Sequence, residues 1–238
     1  MKVLISAVLI SVLLFLGYTQ VGGNDESLRV LFIGNSYTST NDLPSMVSNV
    51  LGENGIQLEV DSITPGGETL SEHAVNPTVR STIATGGFDI VILQDQSETP
   101  AVPQLLNTQS MPAAEALGAM AIEGGARVVL FETWGHRNGS SNSGHRSFES
   151  MQTALTSGYW SLASAAGGTV APVGSTWARS LAANTVVLHS PDGSHPSPAG
   201  THLTSLVIAR TILGEPLTSF PTNGIPDAEA DQLAALLW

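Results

Sequence analysis

Short apolar runs alternate along this chain with longer segments in which apolar residues recur every three or four positions. The short runs are rich in Val, Ile and Leu and are apolar almost throughout, which is typical of strands buried on both faces of a sheet. This alternation favours a parallel sheet covered by helices on both faces. The predicted strands are 28–33, 57–63, 88–93, 126–131 and 185–189, with 168–173 as either a sixth strand or an extended lead into a helix. The predicted helices are 43–55, 111–126, 148–168, 197–214 and 225–238.

The length and the N-terminus of the chain predict its domain organisation. A chain of 238 residues is long enough for one domain with a substantial core and too short for two ordinary ones. Residues 1–23 carry one lysine and then an apolar run from Val3 to Leu16, which is short for a membrane span and typical of a signal peptide. We therefore predict a signal peptide over 1–23, one domain over 24–238, and a secreted or periplasmic protein without stable membrane association after signal cleavage. An uncleaved anchor is the alternative.

The charge of the chain argues against one class of partner. The formal net charge is −12 and Lys2 is the only lysine, so loss of residues 1–23 removes one positive charge and gives −13. Nucleic acids and anionic lipid surfaces bind proteins that bring positive charge to displace counterions from phosphates. We therefore expect no nucleic-acid partner.

Polar clusters follow the predicted strands at the points where the strands end. The carboxyl ends of parallel strands lie along one edge of a sheet, and sites form in the crevice there. Clusters that are distant in the chain are therefore expected to converge, which favours an enzyme. In chain order they are GNS (34–36), TPGGET (64–69), QDQS (94–97), ETWGHR (132–137) and SPDGSHPSPAG (190–200).

The first and last clusters contain the residue types of a serine hydrolase. Asp192 and His195 are close enough for one loop to supply an imidazole and the carboxylate that orients it. Pro196 disfavours helical geometry at His195, so that its ring can project from the loop. Ser36 lies between a strand and a helix, where it is either a nucleophile or a helix cap. The lipase-type motif G-x-S-x-G does not match, because Thr38 occupies its last position.

Three of these clusters together resemble the motifs of the SGNH hydrolases, also called GDSL-type esterases and lipases. FIGNSYT corresponds to the serine block, with Asn35 where the name motif has Asp, while PGGET corresponds to the glycine block and DGSH to the Asp-x-x-His block. The resemblance extends from about Arg29 to Leu213 in the order of the family. It implies an α/β protein with a three-layer α/β/α, flavodoxin-like fold around a central parallel sheet of about five strands. It also implies an ester-cleaving serine enzyme that uses no metal and no other cofactor.

The resemblance also implies a role for the matched residues. Ser36 would be the nucleophile, His195 the general base and Asp192 the residue that orients the imidazole. The backbone N–H groups of Ser36 and Gly67 would stabilise the oxyanion, and a glycine at that position lets the backbone approach the substrate closely.

The block after the third strand departs from the family pattern Gly-x-Asn-Asp. The chain has LQDQS there, which aligns Gln96 with the oxyanion-binding asparagine and Gln94 with the glycine. A glutamine keeps the amide donor on a longer arm, so Gln96 is the predicted third oxyanion donor. Gln94 and Trp134 are candidate substrate-binding residues. Trp134 is either a stacking face for a sugar or a packing residue, and His136 and Arg137 follow it in the same cluster.

The sequence thus predicts a secreted serine esterase. Its substrates would be small-molecule or carbohydrate esters with short acyl groups, including acetyl groups on carbohydrates. One alternative is a catalytically inactive SGNH scaffold that binds glycans or serves as a surface protein. A second alternative is a metal enzyme using Asp192, His195, His136 and His73, but no metal-binding spacing supports it. His189 is a rival to His195, interpreted as a packing residue because it precedes the carboxylate at a predicted strand end.

Overall fold

The computed structural model describes residues 27–183 and 186–237. The predicted signal peptide, residues 1–23, lies outside the described residues. Within the described ranges, no helix combines the length and the apolar composition that a membrane crossing requires.

One parallel sheet of five strands forms the centre of the fold. Its strands are β1 (Leu28–Ile33), β2 (Leu58–Ile63), β3 (Ile90–Leu93), β4 (Arg127–Phe131) and β5 (Thr169–Ala171). They lie side by side in the order β2-β1-β3-β4-β5, and every neighbouring pair is parallel. The predicted parallel sheet of about five strands is confirmed.

The predicted strand over 185–189 is wrong. Of its described residues, only His189 makes a bridge, and that bridge is an isolated antiparallel one with Pro196. The carbonyls of Leu188 and Val187 accept hydrogen bonds from the backbone N–H and the hydroxyl of Ser197, so the returning loop uses groups that a neighbouring strand would need. The fifth place in the sheet is taken by β5, which lies within the 168–173 segment.

Helices cover both faces of this sheet and give the three-layer α/β/α arrangement. The five predicted helices are present at Leu43–Glu53, Met111–Glu123, Phe148–Ala166, Pro198–Leu213 and Asp227–Ala234, and the other helices of the described residues were not among the predicted ranges. Single 3₁₀ turns lie at Thr40–Asp42, Thr99–Ala101 and Ala235–Leu237, and a π turn lies at Leu106–Ser110. The helices are α1 (Ser36–Ser39), α2 (Leu43–Glu53), α3 (Leu70–Val75), α4 (Pro77–Gly86), α5 (Pro103–Leu105), α6 (Met111–Glu123), α7 (Phe148–Ala166), α8 (Val173–Ala183), α9 (Pro198–Leu213) and α10 (Asp227–Ala234).

Each face of the sheet buries its own apolar core. Along β1, Val30 and Phe32 point to the core that includes residues of α2, α8, α9 and α10. Leu31 and Ile33 point to the opposite core, which includes residues of α3, α4, α6 and α7. Successive side chains of a strand point to opposite faces, so β1 is apolar at every one of these positions because both faces are covered.

Candidate active site

The turn after β1 presents Ser36 at the carboxyl-terminal edge of the sheet. Ser36 is the first residue of α1, and Asn35 caps that helix because its Oδ1 accepts the N–H of Tyr37 at 3.0 Å. The cap is therefore Asn35, and the hydroxyl of Ser36 is left for another partner. Ser36 is partly exposed, and its N–H is one of the helix N-terminal donors that have no partner inside the helix.

The partner of the Ser36 hydroxyl is His195, which lies on the loop before α9. The Ser36 Oγ lies 2.9 Å from His195 Nε2, and His195 Nδ1 lies 2.7 Å from Asp192 Oδ2. The loop folds back on itself, since Asp192 Oδ1 also accepts the backbone N–H groups of Ser194 at 2.9 Å and His195 at 3.0 Å. The structure thus brings together the three side chains that the sequence singled out from the two ends of the domain.

The electrostatics of this loop fix the tautomer of His195. The N–H of Ser194 on the carboxylate lowers the pKa of Asp192 to about 2, and the bonds from His195 act in the same direction while partial burial opposes them. An ionised carboxylate can only accept, so His195 Nδ1 carries the proton that faces Asp192. The Nε2 atom is then free to accept the Ser36 O–H, which is the orientation that a general base needs.

Arg137 anchors the loop that carries Asp192 and His195. Its backbone N–H donates to the Gly193 carbonyl at 2.8 Å. Its guanidinium Nη2 donates to the carbonyls of His189 at 3.1 Å and Ser190 at 2.6 Å. The sequence left the role of Arg137 open, and the structure places it behind the histidine loop.

Two backbone N–H groups near Ser36 are not engaged within the described part of the chain. They belong to Ser36 itself and to Gly67, which lies in an exposed loop with a φ of 75°. Asn35 connects the two segments, because its Nδ2 donates to the Glu68 carbonyl at 2.9 Å. The Gly67 loop is therefore held beside the Ser36 turn, and the roles of these two N–H groups as oxyanion donors stay predictions.

The side chain of Gln96 is bonded mainly within its own loop. Its Oε1 accepts the backbone N–H groups of Glu98 at 2.7 Å and Thr99 at 3.3 Å, which identifies that amide atom as the oxygen. Its Nε2 donates to Ser97 Oγ at 3.2 Å. One amide hydrogen is therefore committed, and the predicted role of Gln96 as an oxyanion donor stays a prediction.

The two candidate substrate-binding residues are both fully buried, which corrects that interpretation. The Trp134 ring is stacked between Tyr37, with ring centroids 4.6 Å apart, and Trp177, with centroids 3.9 Å apart. Both of its faces are covered, so the packing alternative applies. Gln94 also has no exposed surface, and its amide is bonded beneath the Ser36 turn. Neither side chain offers a surface to a substrate.

A second polar network, which sequence reasoning missed, lies beside Ser36 and His195. Tyr37 OH lies 2.6 Å from Ser194 Oγ, which in turn lies 3.1 Å from His136 Nε2. The same Nε2 lies 3.2 Å from Ser97 Oγ, and Glu98 Oε1 lies 3.7 Å from His136 Nδ1. Burial lowers the pKa of His136 while the Glu98 carboxylate opposes that shift. The only signal in the sequence was that QDQS and ETWGHR end neighbouring strands.

The two histidines that the sequence analysis considered as alternatives, His189 and His73, bind backbone carbonyls. His189 is buried, and its Nε2 lies 2.9 Å from the Gly135 carbonyl, with its ring edge against Trp177. His73 is also buried, and its Nε2 bonds the Gly34 carbonyl at 2.8 Å. Within residues 27–183 and 186–237, no group of three or more His, Cys, Asp or Glu side chains is arranged to hold a metal ion.

Comparison with solved structures finds chains with the same fold. A protein from Slackia heliotrinireducens, whose assignment as an SGNH hydrolase is provisional, is 30% identical over 79% of this chain and 100% of its own, with a TM-score of 0.67. A DUF4886 family protein from Bacteroides uniformis is 16% identical over 89% of this chain and 94% of its own, with a TM-score of 0.73. An acetyl xylan esterase is 13% identical over 78% of this chain and 100% of its own, with a TM-score of 0.58. No protein-family model and no curated protein matches the chain.

The likeness to the Slackia protein extends over that protein's whole length, and the other two structures share the fold at lower identity. The serine, glycine and Asp-x-x-His blocks of the sequence meet at one edge of the sheet, in the order that the family has. The chain therefore belongs to the SGNH, or GDSL-type, superfamily of hydrolases.

Proposed function

We propose that the chain is a carboxylic ester hydrolase that works through an acyl-enzyme on Ser36. The observation that carries the proposal is the continuous pair of contacts from Ser36 Oγ to His195 Nε2 at 2.9 Å and from His195 Nδ1 to Asp192 at 2.7 Å. A nucleophile, a base and an orienting carboxylate within hydrogen-bond reach of one another are the requirements of this chemistry.

In the first half of the reaction, Ser36 Oγ attacks the ester carbonyl carbon and His195 Nε2 takes the hydroxyl proton. Asp192 stabilises the imidazolium that forms and stays ionised itself. When the tetrahedral intermediate collapses, the bond to the alcohol oxygen breaks and His195 donates its proton to that oxygen. The alcohol leaves, and the acyl group stays on Ser36.

In the second half, a water molecule replaces the alcohol. The oxygen of the water attacks the acyl carbon while His195 takes a proton from the water. The second tetrahedral intermediate then breaks its bond to Ser36 Oγ and releases the carboxylic acid. The proton returns to Ser36 Oγ, so the enzyme ends in its starting state.

The backbone N–H groups of Ser36 and Gly67 would stabilise the oxyanion in both halves. Each such donor contributes about 3 kcal/mol to lowering the barrier. Gln96 Nε2 is the proposed third donor through the hydrogen that it does not give to Ser97. Because its oxygen is held by the backbone of its own loop, this donor would be fixed in place before the substrate binds.

For the substrate, we favour neutral esters with short acyl groups, including acetyl groups on carbohydrates. The carboxylates of Asp192 and Glu98 lie in this part of the molecule, and the guanidinium of Arg137 is occupied by backbone carbonyls. An anionic acyl group would therefore meet repulsion. The acetyl xylan esterase that shares the fold is consistent with an acetylated carbohydrate. Export with cleavage near residue 23 belongs to the same proposal, and the mass of the mature protein tests it.

The test is the hydrolysis of 4-nitrophenyl acetate and of acetylated xylo-oligosaccharides by purified protein. Ser36→Ala should lower kcat/KM by about 10³-fold or more. Ser39→Ala is the matched control, because Ser39 is an exposed serine of the same short helix and its loss should leave activity unchanged. Wild-type protein without activity on either ester would favour the inactive-scaffold alternative. Activity that survives in Ser36→Ala would refute the assignment of the nucleophile.

A further inference from the structure

We infer that Gln94 is a positioning residue for Ser36, because its side-chain amide holds the turn that presents the nucleophile. This inference rests on the proposed role of Ser36. The family pattern has a glycine at the position of Gln94, and a glycine has no side chain with which to reach that turn.

The contacts of Gln94 lie on both sides of Ser36. Its Oε1 accepts the backbone N–H of Asn35 at 2.9 Å and the hydroxyl of Thr38 at 2.9 Å. Its Nε2 donates to the carbonyl of Asp95, so the amide is anchored in the β3 loop while it bonds the nucleophile turn. Gln94, Asn35 and Thr38 are all buried.

The backbone before Ser36 is shaped to admit this side chain. A Cβ added to Gly34 would lie 2.5 Å from Gln94 Oε1, so the Gln94 side chain packs directly on the Gly34 backbone. The Gln94 N–H also donates to the Ile33 carbonyl at 2.9 Å. The glycine of the serine block and the glutamine after β3 therefore form one interlocking contact.

The N–H of Asn35 makes this contact costly to lose. It lies in a buried turn, and Gln94 Oε1 is the acceptor that satisfies it. A buried donor left without a partner is energetically unfavourable, so the turn would move to find another acceptor. Ser36 follows Asn35 directly, and its 2.9 Å contact with His195 depends on the position of that turn.

The expected consequence is a change in turnover rather than in substrate binding. Gln94 has no exposed surface and touches no substrate, so KM should be little affected. A displacement of about 1 Å between a nucleophile and its base can lower the rate about 100-fold. The same displacement should slow the reaction of Ser36 with a fluorophosphonate.

Two substitutions test this inference. Gln94→Met keeps a side chain of similar length and removes the acceptor and the donor. Gln94→Glu keeps an acceptor and a donor as long as the new carboxyl group is protonated. The protonated group has one acceptor oxygen and one O–H that can face the Asp95 carbonyl. Gln152→Met is the matched control, since Gln152 is another buried glutamine whose amide bonds Gly135 and Glu132 instead.

We expect Gln94→Met to lower kcat and the labelling rate by about 10–100-fold, with KM within about threefold of wild type. Gln94→Glu should keep kcat within about tenfold of wild type near pH 6 and lose it toward about pH 9, as its carboxyl ionises and can no longer donate. Gln152→Met should lower the free energy of unfolding without the loss in kcat.

Wild-type kcat in Gln94→Met would overturn the inference. So would a Gln94→Glu protein as slow as Gln94→Met at every pH, because the restored acceptor and donor would then have no effect on turnover. If Gln94→Met does not fold, the pH dependence of Gln94→Glu relative to wild type decides. Absence of labelling in the wild type would instead contradict the proposed function, so the two failures can be told apart.

Discussion

Gly34 is the position at which one added methyl group should disturb the nucleophile turn most. A Cβ there would lie 2.5 Å from Gln94 Oε1 and 2.6 Å from Thr38 Oγ1. Both oxygens are buried and hydrogen-bonded to each other, so neither can swing into solvent. Gly34→Ala must therefore push the Gln94 amide and the turn apart.

The size of the effect follows from these contacts. Overpacking of a well-packed interior costs about 1–3 kcal/mol. Weakening the hydrogen bonds from the Asn35 N–H and the Thr38 hydroxyl to Gln94 adds about 1 kcal/mol for each bond that is lost. We expect the free energy of unfolding of Gly34→Ala to fall by about 2–4 kcal/mol.

Urea unfolding of a double-mutant cycle measures the effect. In a Gln94→Ala background the clash with Gln94 Oε1 is removed and the close approach to Thr38 Oγ1 remains, so Gly34→Ala should cost at least about 1 kcal/mol less there than in the wild type. Gly66→Ala is the matched control, because a Cβ at Gly66 meets no atom within 4 Å and should change stability by about 0.5 kcal/mol or less. Equal stabilities for Gly34→Ala and Gly66→Ala would refute the reasoning, as would a cycle in which the two changes are simply additive.

Three further predictions follow from other contacts. Arg137→Met removes the guanidinium bonds to the His189 and Ser190 carbonyls, so kcat should fall about tenfold or more with KM little changed, and unchanged kinetics would contradict the anchoring role. The pKa of Asp192 is lowered from 3.8 to about 2, so this carboxylate stabilises the fold above about pH 4 and loses its effect as the pH falls toward 2. Because the Asp192 side chain is half exposed, we expect its contribution to the free energy of unfolding to be less than about 1 kcal/mol. The acid unfolding curves of the wild type and Asp192→Asn should therefore converge near pH 2, and curves that stay apart at that pH would contradict this prediction. Trp134→Ala should lower the free energy of unfolding by about 3–5 kcal/mol, and a loss below about 1 kcal/mol would contradict its place between two stacked rings.

Much of the fold could be predicted because strands buried on both faces have a distinctive composition. Residues 28–33 are apolar at nearly every position, and both cores of the structure use them. The same composition led to a wrong prediction at 185–189, where the buried Leu188 belongs to the core on one face of the sheet but not to a strand. Composition reports burial, and only the pairing partner distinguishes a strand from a buried loop. The short helix α4 was missed because its Thr- and Ser-rich sequence has a weak apolar pattern.

Some features of the candidate site could also be predicted from the sequence, and others could not. The spacing of Asp192 and His195 on one loop, and the place of Ser36 after a strand, could be read locally. The burial of Trp134 could not, because its stacking partners Tyr37 and Trp177 come from distant parts of the chain. The same holds for the contacts of Gln94, which depend on how closely the ends of two neighbouring strands approach.

Covalent labelling of the purified protein by a fluorophosphonate tests the central claim most directly. Trypsin cleaves after Arg29 and Arg80, so Ser36 lies in the peptide 30–80, where tandem mass spectrometry can locate an adduct. We expect one adduct on Ser36 in the wild type, none in Ser36→Ala, and much slower labelling in His195→Ala. A wild-type protein that gains no adduct, or an adduct that persists in Ser36→Ala, would contradict the account.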